Sequence, residues 1–140
     1  EWVEKEKNHF AVYFFADDLR FFRRSGRVSG LAATMGTVLG VRPIIYVNDE
    51  GRMVSIGKER GKANATERLL HTVEELGKDL SKHRILIGHT DAPETAEELC
   101  AALTERFGKE LPIECLAVNP TAGSHCGPST VGICFYAKHR

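Results

Sequence analysis

The sequence predicts one α/β domain, a two-layer sandwich in which helices cover one face of a six-stranded mixed sheet. A length of 140 residues suits a single hydrophobic core. Six short segments are rich in β-branched or aromatic residues, and two longer segments repeat apolar residues every three or four positions. In chain order the elements are β-α-α-β-β-α-β-α-β-β, which is typical of helices packed on a mixed sheet.

The first third of the chain predicts one strand followed by two helices. Residues 9–15 are aromatic and β-branched, as in a strand. Asp17 or Asp18 then caps a short helix, which a Ser-Gly-Arg sequence ends. We expect Ser29 to cap a second helix over residues 30–39, whose small side chains allow a neighbouring helix or a ligand to approach its backbone closely.

The middle of the chain predicts a β-hairpin and a long helix. Strands over residues 43–47 and 52–58 flank the turn sequence Asn-Asp-Glu-Gly. A helix over residues 62–80 follows, with its apolar side chains in one stripe.

The last third predicts three strands, one helix and a loop. A short strand over residues 84–88 leads into an amphipathic helix over residues 92–107. Strands over residues 112–118 and 131–137 complete the sheet. Residues 119–130 between them are dense in Gly, Pro, Ser and Thr, which indicates a loop.

Charge and composition argue against several classes of function. The chain has 19 basic and 19 acidic side chains, so it lacks the basic surplus that a general nucleic-acid binder needs. No apolar run approaches the roughly 20 residues that span a bilayer. The cysteines are spaced too widely for a typical zinc site, and we expect reduced thiols in a cytoplasmic protein without a bound metal. They are Cys100, Cys115, Cys126 and Cys134.

Residues 123–130, with the sequence Gly-Ser-His-Cys-Gly-Pro-Ser-Thr, form the most unusual stretch. Their backbone N–H groups and the His125 imidazole can bind an anion such as a carboxylate or a phosphate. Cys126 can instead act as a nucleophile, although neighbouring loop side chains seldom point the same way. A third interpretation is a tight turn into the last strand, with His125 simply exposed.

Weaker signals come from two basic segments and one strand end. Arg27 follows a glycine at a predicted helix entrance, which favours an anion, but a solvated arginine beside a capping loop has the same pattern. The basic residues 58–62 suit either a phosphate or partner contact or a solvated helix start, and they lack P-loop spacing. After the RILIG strand, we expect His89 to be a loop residue and Asp91 a helix cap, not metal ligands.

Aromatic residues are concentrated at the start of the chain. Five of the seven Phe lie in the first 22 residues, and four of them form two adjacent pairs, Phe14-Phe15 and Phe21-Phe22. One strand and one helix cannot direct all five rings into a single core. We therefore expect some of them to line a second surface, either a partner interface or a ligand slot.

Taken in order, these motifs resemble the C-terminal half of the DegV family. Residues 18–29 correspond to the family's aromatic helix ending in Gly-Gly-Arg-Ile-Ser, and residues 35–45 to its Gly-x-Leu-Leu helix end followed by Lys-Pro-Ile. A basic stretch at residues 58–63 follows a turn similar to the family's. Residues 125–132 resemble its His-x-Gly-Pro-Gly loop before a Val-Gly strand.

The resemblance implies a bacterial, cytoplasmic fatty-acid carrier. Its long-chain acid lies in an apolar tunnel between two domains, without a cofactor, and is presented to a fatty acid kinase for phospholipid synthesis. The implied ligand-binding residues are His125, Arg27, Ser29, Gly127 and Thr130, with His125 at the carboxylate. Arg60 is implied to help dock the kinase.

On this interpretation, residues 1–140 are a single lipid-binding domain whose N-terminal partner domain is absent. A start at Glu1 instead of Met fits that expectation. Two departures from the family motifs, Ser25 and Ser129, replace glycines, and the second can change how the loop closes on a ligand. The alternatives are a small-molecule enzyme or kinase-related domain using Arg27 and His125 on a phosphorylated substrate, and a regulatory interaction domain without a ligand.

Overall fold

The computed structural model describes residues 1–26, 28–29 and 40–140. Five α-helices and seven β-strands form within these residues, with a 3-10 turn over Lys7–His9. The helices are α1 (Trp2–Glu6), α2 (Arg20–Ser25), α3 (Lys62–Leu76), α4 (Pro93–Phe107) and α5 (Pro120–Cys126). The strands are β1 (Phe10–Phe15), β2 (Val28–Ser29), β3 (Val41–Val47), β4 (Met53–Arg60), β5 (Ile85–Thr90), β6 (Ile113–Ala117) and β7 (Thr130–Tyr136).

The strands form one mixed sheet in the order β2-β4-β3-β1-β7-β5-β6. The pairs β2/β4 and β5/β6 are parallel and the other pairs are antiparallel. The α/β class and the mixed sheet are confirmed, and each of the six predicted strands forms. The two-residue strand β2 adds a seventh, so Ser29 lies in a strand, paired with Val54. The predicted helix over residues 30–39 lies outside the described residues.

Helices α3 and α4 cover one face of the sheet and form the main core with it. Their apolar stripes, which predicted both helices, bury Leu69, Val73, Leu99 and Leu103 completely. Each large side chain buried in this way contributes about 1.5–3 kcal/mol to folding. The strand side chains beneath them are Tyr13, Phe15, Ile44, Ile85, Ile87, Val131, Ile133 and Phe135.

Helix α3 ends at Leu76, four residues before its predicted end. The N–H of Gly77 still donates to Val73 O at 2.8 Å, but the next N–H, of Lys78, donates to Tyr136 O of β7 at 3.0 Å. The sheet therefore takes the chain away from the helix axis at this point. Leu80 keeps its predicted apolar environment, because it packs against the main core from outside the helix.

The predicted loop over residues 119–130 is wrong in its first half, because Pro120–Cys126 form helix α5. Asn119 caps this helix by accepting the N–H of Ala122 on its side-chain oxygen at 3.0 Å. Proline at the first helical position has no N–H to lose and a backbone angle that suits a helix. The Asn-Pro pair was therefore a helix-start signal, outweighed by the Gly and Ser residues that follow it.

Two predicted helix caps and one loop residue also differ from the sequence interpretation. Asp91 does not cap α4, because it is exposed in a left-handed conformation, with φ of 50°, and Ala92 is the capping residue. His89 belongs to strand β5, and its Nδ1 accepts the Ala92 N–H at 3.3 Å. At α2 the capping residue is Leu19, but Asp18 accepts the N–H of Arg20 at 2.9 Å.

The short helices lie apart from the helix layer. Helix α2 packs over the opposite face of the sheet, where its Phe22 joins Phe14 and Ile45 in a second, smaller apolar cluster. Helix α5 packs against α2 at the same end of the sheet. Among the described residues, no helix has the length and apolar character needed to cross a membrane.

Candidate functional site

An apolar groove of about 260 Å³ crosses the face of the sheet that α3 and α4 leave uncovered. We call this face the open face. Alternate residues of each strand point to it, so the side chains on it belong to positions that the main core does not use. The groove is lined by Val12, Phe14, Val47, Met53, Leu86, Leu116, Val118, Cys126 and Cys134, with Gly88, Gly132, Thr90 and Thr130 between them.

Two glycines lower the floor of the groove. Gly88 of β5 and Gly132 of β7 are directly paired across the sheet. A Cβ atom at Gly132 would lie 2.7 Å from Cβ of Phe14, and one at Gly88 would lie 3.2 Å from a methyl of Val118. Larger residues at either position would therefore push against the groove walls. Neither glycine is among the site residues predicted from the sequence, although glycine inside a strand often marks a close approach.

An aromatic side chain of α2 packs against the groove-lining Phe14. Phe22 is buried and stacks on Phe14, with ring centroids 5.7 Å apart. Phe15, the neighbour of Phe14, points into the main core instead. The expectation that the Phe-rich start of the chain serves two surfaces is therefore confirmed within the described residues.

The loop after α5 is fixed to this end of the sheet by hydrogen bonds to Thr90. The buried Thr90 hydroxyl donates to Gly127 O and accepts the Thr130 N–H, the latter at 3.2 Å. The Ser129 N–H donates to Thr90 O at 2.7 Å, and the Thr130 hydroxyl donates to Cys126 O at 3.1 Å. The hydroxyl hydrogen of Thr130 is thus used within the loop, and its oxygen can still accept.

Gly127 and Ser129 hold the backbone conformations that shape this loop. Gly127 has φ of 77°, and a Cβ atom there would collide with the ring of Phe21. Ser129 has φ of 59°, where a residue with a side chain costs about 1–2 kcal/mol. This serine stands where the family motif has its last glycine. The loop keeps a left-handed residue at that position, with the Thr90 bonds holding it.

His125 lies at the end of α5, half-buried, beside the groove-lining Cys126. Within the described residues its ring has no hydrogen-bond partner, so its polar atoms remain available to a ligand. Burial raises the pKa of the Cys126 thiol. A thiol kept protonated is a weak nucleophile, which disfavours the catalytic interpretation of this loop.

The remaining predicted site residues lie at different distances from the groove. Arg27 is outside the described residues. Ser29 belongs to β2, beside the β4 residues that begin with the groove-lining Met53. Arg60 is exposed at the end of β4, at the same end of the sheet as Thr130. Three strand spacings, about 14 Å, separate these two strands.

Metal chemistry has little support in the geometry. Across residues 1–26, 28–29 and 40–140, no three His, Cys, Asp or Glu side chains are grouped so that they could hold a metal ion. The groove-lining residues that the structure describes include no charged side chain. The arrangement suits a long apolar ligand with one polar end near His125.

Comparison with known proteins finds relatives over the whole chain. A DegV domain-containing protein of Clostridium perfringens is 33% identical over 135 residues, which are 96% of this chain and 46% of that protein. The fatty acid binding DegV family protein of Streptococcus agalactiae has a TM-score of 0.87 at 25% identity, over 99% of this chain and 48% of that one. DegV of Bacillus subtilis, a fatty acid binding protein, has a TM-score of 0.77 at 27% identity, over 98% of this chain and 48% of that one.

The chain thus spans about half the length of the relatives it matches. The model of the DegV family, described as a family of uncharacterised proteins, matches residues 1–138. This match covers nearly every residue and agrees with the resemblance of the sequence motifs. The chain belongs to the DegV family.

Proposed function

We propose that this chain forms one wall of a binding site for a long-chain fatty acid. The observation that carries the proposal is the apolar groove on the open face, whose described lining residues carry no charge, with a polar loop at one end. Two similar DegV proteins, from Streptococcus agalactiae and Bacillus subtilis, are described as binding fatty acids. An acyl chain laid in the groove gains about 0.8 kcal/mol for each CH₂ group removed from water.

The second wall belongs to an N-terminal domain that precedes these residues in the full-length protein. This chain covers about half the length of its relatives. The sheet bounds the groove from one side, and the opposite side is open. A domain placed over the open face would exclude water from the acyl chain along its whole length. Hydroxyl groups of that domain would complete the contacts to the carboxylate.

The carboxylate end of the ligand lies at the loop after α5. The His125 ring donates a hydrogen bond to the carboxylate. Gly127 and Thr130 shape the loop that surrounds the carboxylate. From the family resemblance alone, we infer that Arg27 and Ser29 also contribute to ligand binding. A buried carboxylate requires such hydrogen-bond donors, because an uncompensated charge is costly to remove from water.

The protein acts as a carrier, without catalysis and without a cofactor. Burial raises the pKa of Cys126 and Cys134, so neither groove thiol is activated. A separate fatty acid kinase phosphorylates the exposed end of the bound acid, for use in phospholipid synthesis. Arg60, exposed at the same end of the sheet as the loop, helps to dock that kinase. The unpaired cysteines suit a cytoplasmic location.

The first test is native mass spectrometry of the full-length protein purified from cells. We expect a mass increment equal to one acyl chain, and saturation by added oleate in protein that has been stripped of lipid. Protein that arrives empty and ignores oleate would contradict the proposal. In that case, binding of a phosphorylated small molecule would favour the enzyme alternative.

Cysteine labelling tests where the acyl chain lies. Burial raises the pKa of Cys126 and Cys134, so near pH 8 both are mostly protonated and should react slowly with iodoacetamide. Oleate should slow their labelling further, by severalfold, when peptides of the full-length protein are counted by mass spectrometry. Cys115 is the internal control, because it is exposed and pairs with Ile87, whose side chain faces α3 and α4. If oleate slowed the labelling of Cys115 as much as that of the groove cysteines, or did not slow the groove cysteines at all, the ligand would lie elsewhere.

His125→Ala tests the head-group contact. A hydrogen bond to a charged group contributes about 1.5–3 kcal/mol, so we expect oleate to bind at least tenfold more weakly by calorimetry. His71→Ala is the matched control, because His71 lies on α3 with about half of its side chain exposed. Unchanged oleate affinity and unchanged phosphorylation by the kinase in His125→Ala would refute the contact.

Arg60→Glu tests kinase docking separately from ligand binding. We expect oleate affinity to stay the same, because Arg60 does not line the groove. Phosphorylation of the bound acid by the kinase should fall about tenfold at limiting protein concentration, with the loss in the apparent KM. Arg52→Glu, at the opposite end of β4, is the control. Equal rates for both variants would remove Arg60 from the docking surface.

A further inference from the structure

The groove on the open face has two arms that meet at a corner. The first arm follows strands β5 and β7, whose groove-lining residues are directly paired across the sheet. These pairs are Thr90 with Thr130, Gly88 with Gly132, and Leu86 with Cys134. The first arm therefore begins at the loop after α5 and follows β7 over the two glycines as far as Cys134.

The second arm crosses the strands. Cys134 pairs with Val12 of β1, and Val47 of β3 pairs with Met53 of β4. The antiparallel register of β1 and β3 places Val12 beside Val47. All four side chains line the groove, so the second arm runs from β7 to β4. The two arms meet near Cys134 at a steep angle, because one follows the strands and the other crosses them.

Aromatic rings prevent a straight continuation of the first arm. Phe10 and Tyr136 are paired across β1 and β7 at the next open-face positions beyond the corner, and their ring centroids are 5.6 Å apart, edge to face. His83 stacks on Tyr136 with centroids 4.0 Å apart, and the Tyr136 hydroxyl donates to Glu6 at 2.8 Å. These three rings stand across the end of the first arm, and none of them lines the groove.

The position of the crossing is limited by α2. Phe22 stacks on Phe14 and shares an apolar cluster with Ile45, so a crossing one row closer to the loop is filled. On the open face of β1, Val12 lies between Phe10 and Phe14 and is smaller than either. Val12 is therefore the low point at which an acyl chain passes from the first arm to the second.

We propose that the groove selects acids whose chain bends near its middle, as a cis double bond makes it bend, and that Val12 determines this preference. The inference rests on the proposed fatty-acid site and specifies the class of acid that it takes. Cys134 lies four positions after Thr130 along β7, so the corner lies about 13 Å from the loop, near the middle of a hexadecanoic or octadecanoic chain. The second arm extends about 14 Å further, across three strand spacings.

The shape of the free ligand decides the difference in affinity. A cis double bond holds the bend before binding, so the acid loses little conformational freedom when it enters the corner. A saturated chain has to give up bond rotations to adopt the same bend. A trans double bond keeps the chain straight, although the number of carbons and double bonds is the same.

The first test compares acids in lipid-free, full-length protein by displacement of a fluorescent fatty acid. The acids are octadecanoic, trans-9-octadecenoic, and cis-octadecenoic with the double bond at carbon 6, 9 or 13. We expect the cis-9 acid to bind about fivefold more tightly than the saturated and trans-9 acids, because its bend is already formed. It should also bind more tightly than the cis-6 and cis-13 acids, whose bends lie away from the corner.

Val12→Phe tests the corner itself. The larger ring should fill the passage, so the affinity for cis-9-octadecenoic acid should fall about tenfold or more, because the CH₂ groups beyond the corner stay in water. Decanoic acid ends near the corner and should keep its affinity. Val47→Phe, one strand further along the second arm, guards against a Val12 variant that fails to fold and should show the same split. Ile56→Phe is the control, because Ile56 is exposed on β4 and does not line the groove.

Several results would overturn the bent path while leaving fatty-acid binding intact. One is equal affinity of wild-type protein for the saturated, trans-9 and cis-9 acids. Another is a preference for the cis-6 or cis-13 acid over the cis-9 acid, because the bend would then not lie at Val12. A third is an unchanged affinity for the cis-9 acid in both valine variants. Wild-type protein that binds none of the acids would instead overturn the proposed function.

Discussion

The antiparallel pairing of β1 with β7 is the interaction on which the groove and both of its ends depend. It places Phe14 opposite Gly132 and Val12 opposite Cys134, so the groove floor is set by one register. The same pairing puts the start of β7 beside the end of β1, where the loop and α2 meet. A slip of one residue by β1 would turn its groove residues, Val12 and Phe14, into the helix layer and bring its core residues to the open face.

Polarity is distributed along the groove in a way that suits a carrier. Among the described residues the lining is apolar and uncharged along most of its length, and its hydroxyl groups, of Thr90 and Thr130, lie at the end beside the loop after α5. At one end, Thr90 uses its hydroxyl and carbonyl to fix the loop, which leaves the His125 ring without a partner in the described residues. Donors that are positioned before a ligand arrives need little reordering, and this lowers the entropic cost of binding.

Much of the fold could be predicted from the sequence, because hydrophobic periodicity is a local property that tertiary packing reinforces here. Strand and helix positions followed from it, and the ordered motifs were sufficient to identify the family. The ends of elements were less predictable, since they depend on distant partners: α3 stops where Lys78 bonds to β7. The groove itself was hidden, because Gly88 and Gly132 lie 44 residues apart and become neighbours only through the sheet. Of the predicted site residues, Arg27 and the helix over residues 30–39 remain sequence predictions.

The alternation of β7 separates two evolutionary demands on one strand. Val131, Ile133 and Phe135 are buried in the core, so substitutions there destabilise the folded state. The interleaved residues, Gly132 and Cys134, face the groove and carry little of the main core. Members of a family with this sheet can therefore change the volume and chemistry of the ligand site one position at a time while the folded state stays intact. Diversification of ligand preference requires no change of architecture.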